Sequence, residues 1–462
     1  MRTGRKEIVA DKYGSLYDHI VSYKITAMCR EPLHVGGGDG RNGGILVHPV
    51  ENIPFIQATG IAGALRDYLA ENPELDPNPE IRKTLFGSSA DGGDNGSKVR
   101  ISDAFFYENV ADEKHANTVN IELRPRVKIN RESGTCQTYN TKGGANWSGQ
   151  KFETELIAAG SVLKFSLYLY EREHEYEALL EKLLCALHGG EIQIGGQKSN
   201  GCGYIVLSDV VKTDYDMTNA GDRKFWKDEK KGGTSILGEL ETQTSKQEKR
   251  IHFELYGEVD SEILVKSIAV SNYDQASPDA EQMRTADGRL VIPATSIKGV
   301  LRSQMEKIAK FKGIPESEIE SVFGKNASAD KGEKGFLGCI HFFDAILDGG
   351  MRPSQMRIHI DKFTGGVMYG ELFGETPAYG KLTIRVDLEK ENKKAAGLLL
   401  MALRDLGLGI LPLGSGSNIG RGYISGTELS VWKGADMIAK IDLKGRKITE
   451  GAERIKDYVK AV

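Results

Sequence analysis

"IQATGIAGALRDY" at 56–68 and "IPATSIKGVLRSQ" at 292–304 are two spellings of one phrase, identical at seven of their first eleven positions when Ile56 is set against Ile292. In the second copy Ile297, Val300, Leu301, Met305 and Ile308 recur on one helical face, and Thr295 or Ser296 is a suitable N-cap. Apolar residues precede the phrase in both places. The pattern predicts a strand turning sharply into an amphipathic helix, written twice.

Four further matches follow in the same order, the mark of an internal repeat. "LFG" at 85–87 answers to "VFG" at 322–324, and "ISDAFF" at 101–106 to "HFFDAIL" at 341–347. "RVKINR" at 126–131 answers to "RIHIDK" at 357–362, and "GGQKSNGCGYI" at 195–205 to "GSGSNIGRGYI" at 414–424. The offsets drift between 241 and 219, as loop insertions would make them. The chain therefore reads as two versions of one domain, 1–213 and 250–435. A polar, charged stretch at 214–249 suits a linker or an ordered insertion. In the tail, 436–462, Ile455, Tyr458 and Val459 stand at helical spacing and predict a docking helix.

Composition sets the class. The 462 residues are 39% hydrophobic and 27% charged, which fits a globular chain of two to three domains. No signal-peptide core follows the N-terminal basic residues, and no run reaches the ~20 apolar residues of a membrane span, so a cytoplasmic, membrane-free protein is expected. Five scattered cysteines without a CxxC pair argue against a disulfide framework and a zinc site. A net charge of −4 does not by itself favour nucleic acid, although the distribution of charge can differ from its sum.

Within each half, alternating strand runs flank the repeated corner and a second helical segment, "EYEALLEKLLCALHG" or "KKAAGLLLMALRDLG". The order β-α-β-β-α-β predicts an α+β fold of two tandem ferredoxin-like domains. The loops "GGQKSNGCG" and "GSGSNIGRG" lack the GxxxxGK[ST] spacing and run from helix to strand, the reverse of a P-loop or a Rossmann loop. They are either tight turns between packed elements or places where a polynucleotide backbone approaches main-chain amides, with Lys198 and Arg421 neutralising phosphate.

Taken as an ordered set, "LHVGGGDG", "IPATSIKGVLR", "LFG", "RISDAFF", "DKFTGGVMYGELF" and "GSGSNIGRGY" resemble the RAMP superfamily, the repeat-associated proteins of CRISPR systems. The resemblance is closest to backbone subunits of type III effector complexes, and two copies resemble variants whose subunits are fused. It implies an RNA-recognition-like core in each half that grips guide RNA (crRNA), paired with complementary target RNA, among other effector subunits in antiviral defence. It also implies a thumb-like hairpin in each half. In the stretches at 126–156 and 357–377, Arg126, Lys128, Arg131, Arg357, His359 and Lys362 would supply donors, and Phe363, Met368 and Phe373 would wedge against bases. At the repeated corner, Lys298 and Arg302 would meet phosphate near the helix N-terminus, whereas the first half keeps Arg66 but has Ala62 in place of the lysine. For Arg66 and Arg302 a structural salt bridge is the competing reading.

Relatives of this kind often cut target RNA with an aspartate in the loop before the corner strand, releasing a 2′,3′-cyclic phosphate. Asp279 stands where that aspartate is expected, with Asp274 as its rival; Asp287, in "TADGR", reads as a turn residue. Counting back similarly in the first half leads near Asn42 and Gly43, where no carboxylate stands, and Asp39 is the nearest substitute. The expected activity is that of a divalent-metal-dependent endoribonuclease working within the assembled complex, with magnesium as the ion and no metal site made of protein ligands alone. The alternatives are a non-catalytic RNA-binding subunit and a guide-processing endoribonuclease that uses His34.

Overall fold

A computed structural model describes residues 9–10, 16–36, 44–87, 96–109, 111, 114, 119–130, 138–140, 147–149, 151–172, 174–228, 231–247, 250–267, 278–325, 335–389 and 391–462. Asp39, Asp274 and Arg131 lie outside the described residues.

Each half folds round its own hydrophobic core, and the two cores share no residue. In the first half the strand order is Thr234–Ser235, Ile205–Asp216, His19–Cys29, Val162–Glu171, Ala104–Tyr107 and Phe55–Ile56. In the second it is Lys447–Glu450, Asp436–Asp442, Ile424–Lys433, Ile251–Val259, Ala378–Leu388, Ala345–Met351 and Val291–Ile292. Neighbours along both orders pair antiparallel. Leaving out the two-residue corner strands and the added edges, both orders are the ferredoxin-like 4-1-3-2.

Side-chain alternation explains why these sheets form. Val21, Tyr23, Ile25, Ala27 and Cys29 all face the first core, as a half-buried strand requires. Against them pack Ile61, Leu65 and Leu69 of the corner helix Ala58–Glu71, spaced one turn apart, and Leu180, Leu183, Leu184 and Leu187 of Glu177–His188. Ile297, Leu301 and Met305 of Ala294–Lys312 and the leucines of Lys393–Gly407 do the same in the second half.

The repeated motifs belong to one construction. Neither Thr295 nor Ser296 caps the second corner helix: its N-cap is Pro293, which makes no side-chain cap. The cap comes from a distant strand, because Asp344 Oδ1 accepts from the Ala294 amide at 2.8 Å, and Asp103 Oδ1 accepts from Ala58 at 2.7 Å. "ISDAFF" and "HFFDAIL" are thus repeated because each carries the carboxylate that satisfies the corner helix. "LFG" and "VFG" end the short helices Pro79–Phe86 and Glu316–Phe323, where Gly87 and Gly324 take φ of 78° and 81°.

The stretch expected to be a linker or an ordered insertion folds onto the first half. Ile205–Asp216 continues past residue 213, Thr234–Ser235 adds an edge strand, and Ile236 and Leu240 enter the first core. The helix Leu237–Gln247 packs on Glu177–His188, with Thr244 Oγ1 donating to the Cys185 carbonyl at 3.3 Å. The C-terminal tail does the same for the second half: Asp436–Asp442 extends its sheet, and Ala452–Lys460 buries Ile455 and Tyr458 against Lys393–Gly407. The repeated unit therefore includes an extra strand and helix that the sequence match did not reach.

Candidate functional site

Between the first-half hairpin and the second-half corner lies a cleft of about 1260 Å³. One wall is Pro125–Asn130 with Phe152, from the hairpin formed by Ile121–Val127 and Lys151–Ile157. The other is Thr295–Lys307 of the corner helix, with Lys266, Asp279, Phe373 and the second glycine loop. Among the described residues, the charged side chains of the lining are mainly basic: Arg126, Lys128, Lys266, Lys298, Arg302 and Lys307 against Asp279 and Glu375. A concentration of cations in a chain of net charge −4 is what phosphate recognition needs.

The first glycine loop fixes the relation of the two halves. Gly201 has a φ of 75°, and a Cβ there would lie 2.3 Å from the Phe342 carbonyl oxygen, so the loop reaches the second sheet only as glycine. His341 Nδ1 lies 3.2 Å from the Lys198 carbonyl, and Arg250 donates to the Tyr204 hydroxyl at 3.2 Å. Arg124, buried in the hairpin base, forks onto Glu122 and reaches Asp344 Oδ2 at 2.5 Å. Asp344 thus caps the second corner helix with one oxygen and anchors the first-half hairpin with the other. Arg124 was not expected from the sequence; the paired "SDA" and "FDA" motifs were the available signal.

Lys298 bridges the halves as well, with Nζ 2.7 Å from Ser199 Oγ and 3.4 Å from Asn200 Oδ1. Burial, then the charges of Arg302 and Arg126, push its ammonium down to about 8. An arriving phosphate would reverse that shift. Arg126 Nε is buried without a hydrogen-bond partner on the same cleft, a donor suited to an incoming oxygen. Arg302 is committed within its helix, pairing with Glu306 at 2.9 Å and lying over Phe323, as the salt-bridge reading expected. Lys128 is exposed on the cleft wall, whereas Arg66 is exposed on the first corner, outside the cleft.

Arg421 corrects the sequence reading. Its side chain is 1% exposed, and it donates to Glu262 at 2.5 Å, Glu375 at 2.5 Å and Gln355 at 2.7 Å. The guanidinium is consumed inside the protein and does not neutralise phosphate at the surface. Arg357 Nε also stands 3.2 Å from Glu375, and Lys266 Nζ 3.3 Å. Lys198 is half-buried and contributes its carbonyl to the interface.

Asp279 is exposed on the cleft, on a segment whose next residues, Ala280–Glu281, pair with Glu375–Thr376 of the second hairpin. Its Oδ2 accepts from the Gly374 amide at 2.6 Å. Glu375, the other carboxylate of the lining, is occupied by arginines and a lysine, and a lone carboxylate does not make a divalent-ion site. Among the described residues, the cleft therefore does not fit a protein-held metal. Asp287 is a turn residue, as read, bound by Thr285 and Arg289. His34 Nδ1 lies 3.1 Å from the Glu155 carbonyl at the hairpin base, a structural bond.

The second hairpin, Gln355–Ile360 with Val367–Thr376, is tied at its tip by Asp361, which accepts from the Phe363 and Thr364 amides at 2.8 Å. Phe363 is 86% exposed at that tip beside Lys362, with Met368 and His359 also exposed and Phe373 turned into the cleft. Met356, Ile358, Ile360 and Leu372 are exposed too, as are Ile121, Leu123, Val127 and Phe152 of the first hairpin. Small two- and three-stranded sheets with such exposed apolar faces mark interaction surfaces.

Known proteins place this architecture. A RAMP superfamily model matches residues 26–206 and 275–425. The CRISPR system Cms endoribonuclease Csm3 of Enterococcus italicus is 27% identical over 211 residues, 40% of this chain and 91% of that protein. A chain in the cryo-EM structure of the Type III-B Cmr-beta bound to cognate target RNA aligns over 42% of this chain, at 19% identity and a TM-score of 0.30. This chain spans 60% of that one. Matched over most of its length and in two separate stretches, the chain belongs to the RAMP superfamily and carries its domain twice.

Proposed function

We propose that this chain is a fused backbone subunit of a type III CRISPR ribonucleoprotein, that its cleft holds guide RNA paired with target RNA, and that Asp279 directs target cleavage. The cleft carries the reading: a cation-rich groove between one domain's hairpin and the next domain's corner, with one exposed carboxylate, Asp279, among the described residues of its wall. The likeness to an endoribonuclease of a CRISPR system supports it. Lys128, Lys298 and Arg126 take phosphates, and the hairpins' apolar side chains stack against or displace bases. Attack of a 2′-OH on the adjacent 3′-phosphate forms the 2′,3′-cyclic phosphate as the P–O5′ bond breaks and the next nucleotide leaves as its 5′-hydroxyl, protonated from solvent. The step needs an in-line geometry with a base to take the 2′-OH proton, the role assigned to Asp279. Magnesium, if required, is not held by these protein groups alone.

The assembled complex carrying Asp279→Ala should bind target RNA with unchanged affinity and lose cleavage at least a hundredfold. Cleavage at the same bond and rate would leave the second reading, a binding subunit without nuclease activity. That reading has its own observation, since Asp279 already anchors the Gly374 amide and so has a structural use. Guide processing through His34 has no such support, because His34 does not line the cleft.

A further inference from the structure

At the far end of the first sheet, three strand ends bring two imidazoles and a carboxylate together. His19 opens the first strand, opposite Glu171 on one side and Asp216 on the other, and Asp214 and His174 lie beside those positions. His19 Nδ1 is 3.1 Å from Asp214 Oδ1, and His174 Nε2 is 3.8 Å from Asp214 Oδ2. The two rings sit 4.3 Å apart, tilted by 52°. The other nitrogen of His174, Nδ1, lies 2.8 Å from Glu177 Oε2, and Lys212 holds the second oxygen of Glu177. His174 adopts a φ of 55°, a left-handed conformation uncommon for a residue with a Cβ.

Glu171 supplies an independent observation. Its side chain is 0% exposed, and its Oε2 accepts from the Tyr176 amide at 2.8 Å. Its Oε1 is buried with no hydrogen-bond partner, 3.7 Å from His174 Nδ1. A buried, orphaned carboxylate oxygen calls for a positive charge or a proton nearby.

We propose that His19 Nδ1, His174 Nε2 and Asp214 form a binding site for a divalent first-row transition ion such as Zn²⁺, with Glu177 and Glu171 as the carboxylates behind His174. Donors on a tetrahedral ion at about 2.0–2.1 Å stand roughly 3.3 Å from one another. The two imidazole nitrogens stand 3.1 Å and 3.8 Å from different oxygens of Asp214, and one ligand atom from each of the three residues lies within 4.8 Å of the others. A His174 N–H directed at Glu177 leaves Nε2 as the lone-pair nitrogen, the usual arrangement behind a metal-bound imidazole. Two imidazoles select such an ion over Mg²⁺, which prefers an octahedron of oxygens. The neighbouring cations do not compete for the ligand atoms: Lys212 is held by Glu177 and Glu181, and Lys231 by Asp222 and the Asp214 carbonyl. Partial exposure of His19, His174 and Asp214 leaves a path for the ion and a water on its open side. The site uses no cysteine, which is why cysteine spacing did not reveal it. It ties three strand ends, and the eleven-residue strand His19–Cys29 puts it about 30 Å from the cleft end of the sheet. It is therefore independent of the RNA reading.

The test is titration of the chelator-treated full chain with Zn²⁺ by calorimetry and with Co²⁺ by visible absorption. One ion per chain is expected, with an intense tetrahedral Co²⁺ band and a rise in Tm of several degrees at saturating Zn²⁺. His174→Ala and Asp214→Asn should each weaken binding more than tenfold, and Glu177→Gln about tenfold through His174. Equal Zn²⁺ affinity in wild type, His174→Ala and Asp214→Asn would overturn the proposal. So would the absence of a tetrahedral Co²⁺ band in the wild-type chain, whatever the variants' folding.

Discussion

The two corners share a fold and differ in their surroundings. In the second, the first half's hairpin and glycine loop close over the helix, so Asp344 serves two elements and Lys298 is half-buried between domains. In the first, Asp103 caps the helix in the same way, but Ala62 replaces the lysine. A Cβ on Gly60 or Gly63 there would meet nothing within 4 Å. Duplication supplied the scaffold, and docking of one copy on the other made the cleft at the second corner.

That contrast can be broken most severely at the caps. Asp344→Ala removes a helix cap and leaves Arg124 buried beside Glu122 alone; it should cost about 3–5 kcal/mol in denaturant unfolding. Asp103→Ala should cost about 1–2 kcal/mol, and equal losses would show that the Arg124 contact contributes nothing. At the cleft, Lys298→Ala should weaken RNA binding several-fold and lower the salt slope of log K by about one, measured by filter binding across a salt series. Ala62→Lys, at an open corner, should leave binding at the cleft unchanged.

A gentler distinction comes from pH. Because burial holds Lys298 at about 8 in the folded chain against an ordinary 10.5, the unfolded chain binds more protons between those values. Stability from this group therefore rises as pH goes from about 8 to 10.5 and is flat below. Thermal unfolding of wild type against Lys298→Met over that range should show the difference disappear in the variant. The smallest effect belongs to Thr295→Ala, which should shift stability by less than about 0.5 kcal/mol, because Thr295 does not cap the helix.

Much of this molecule was legible in the chain itself. The repeated phrases located both corners, both glycine loops and both hairpins, because each match marks a backbone requirement: a cap, a left-handed residue or a close approach. Asp287 was read correctly as a turn residue because its partners are two residues away. Arg421 was misread because its partners, Glu262, Glu375 and Gln355, are 46 to 159 positions distant, and no local pattern reveals that its guanidinium is enclosed. The charged stretch at 214–249 read as a linker or an ordered insertion for a similar reason: the apolar residues that dock it, among them Tyr215, Met217, Trp226, Ile236 and Leu240, are scattered and create no periodic signal.

The sequence by itself determined the duplication, the ferredoxin-like order and the corner, since alternation, helical spacing and glycine placement are local properties of a chain. Only the tertiary structure decided which cations face a cleft and which are spent in the core, and which carboxylate holds two domains together. Those outcomes depend on long-range contacts between side chains, and the energy of a charge is set by what surrounds it in space.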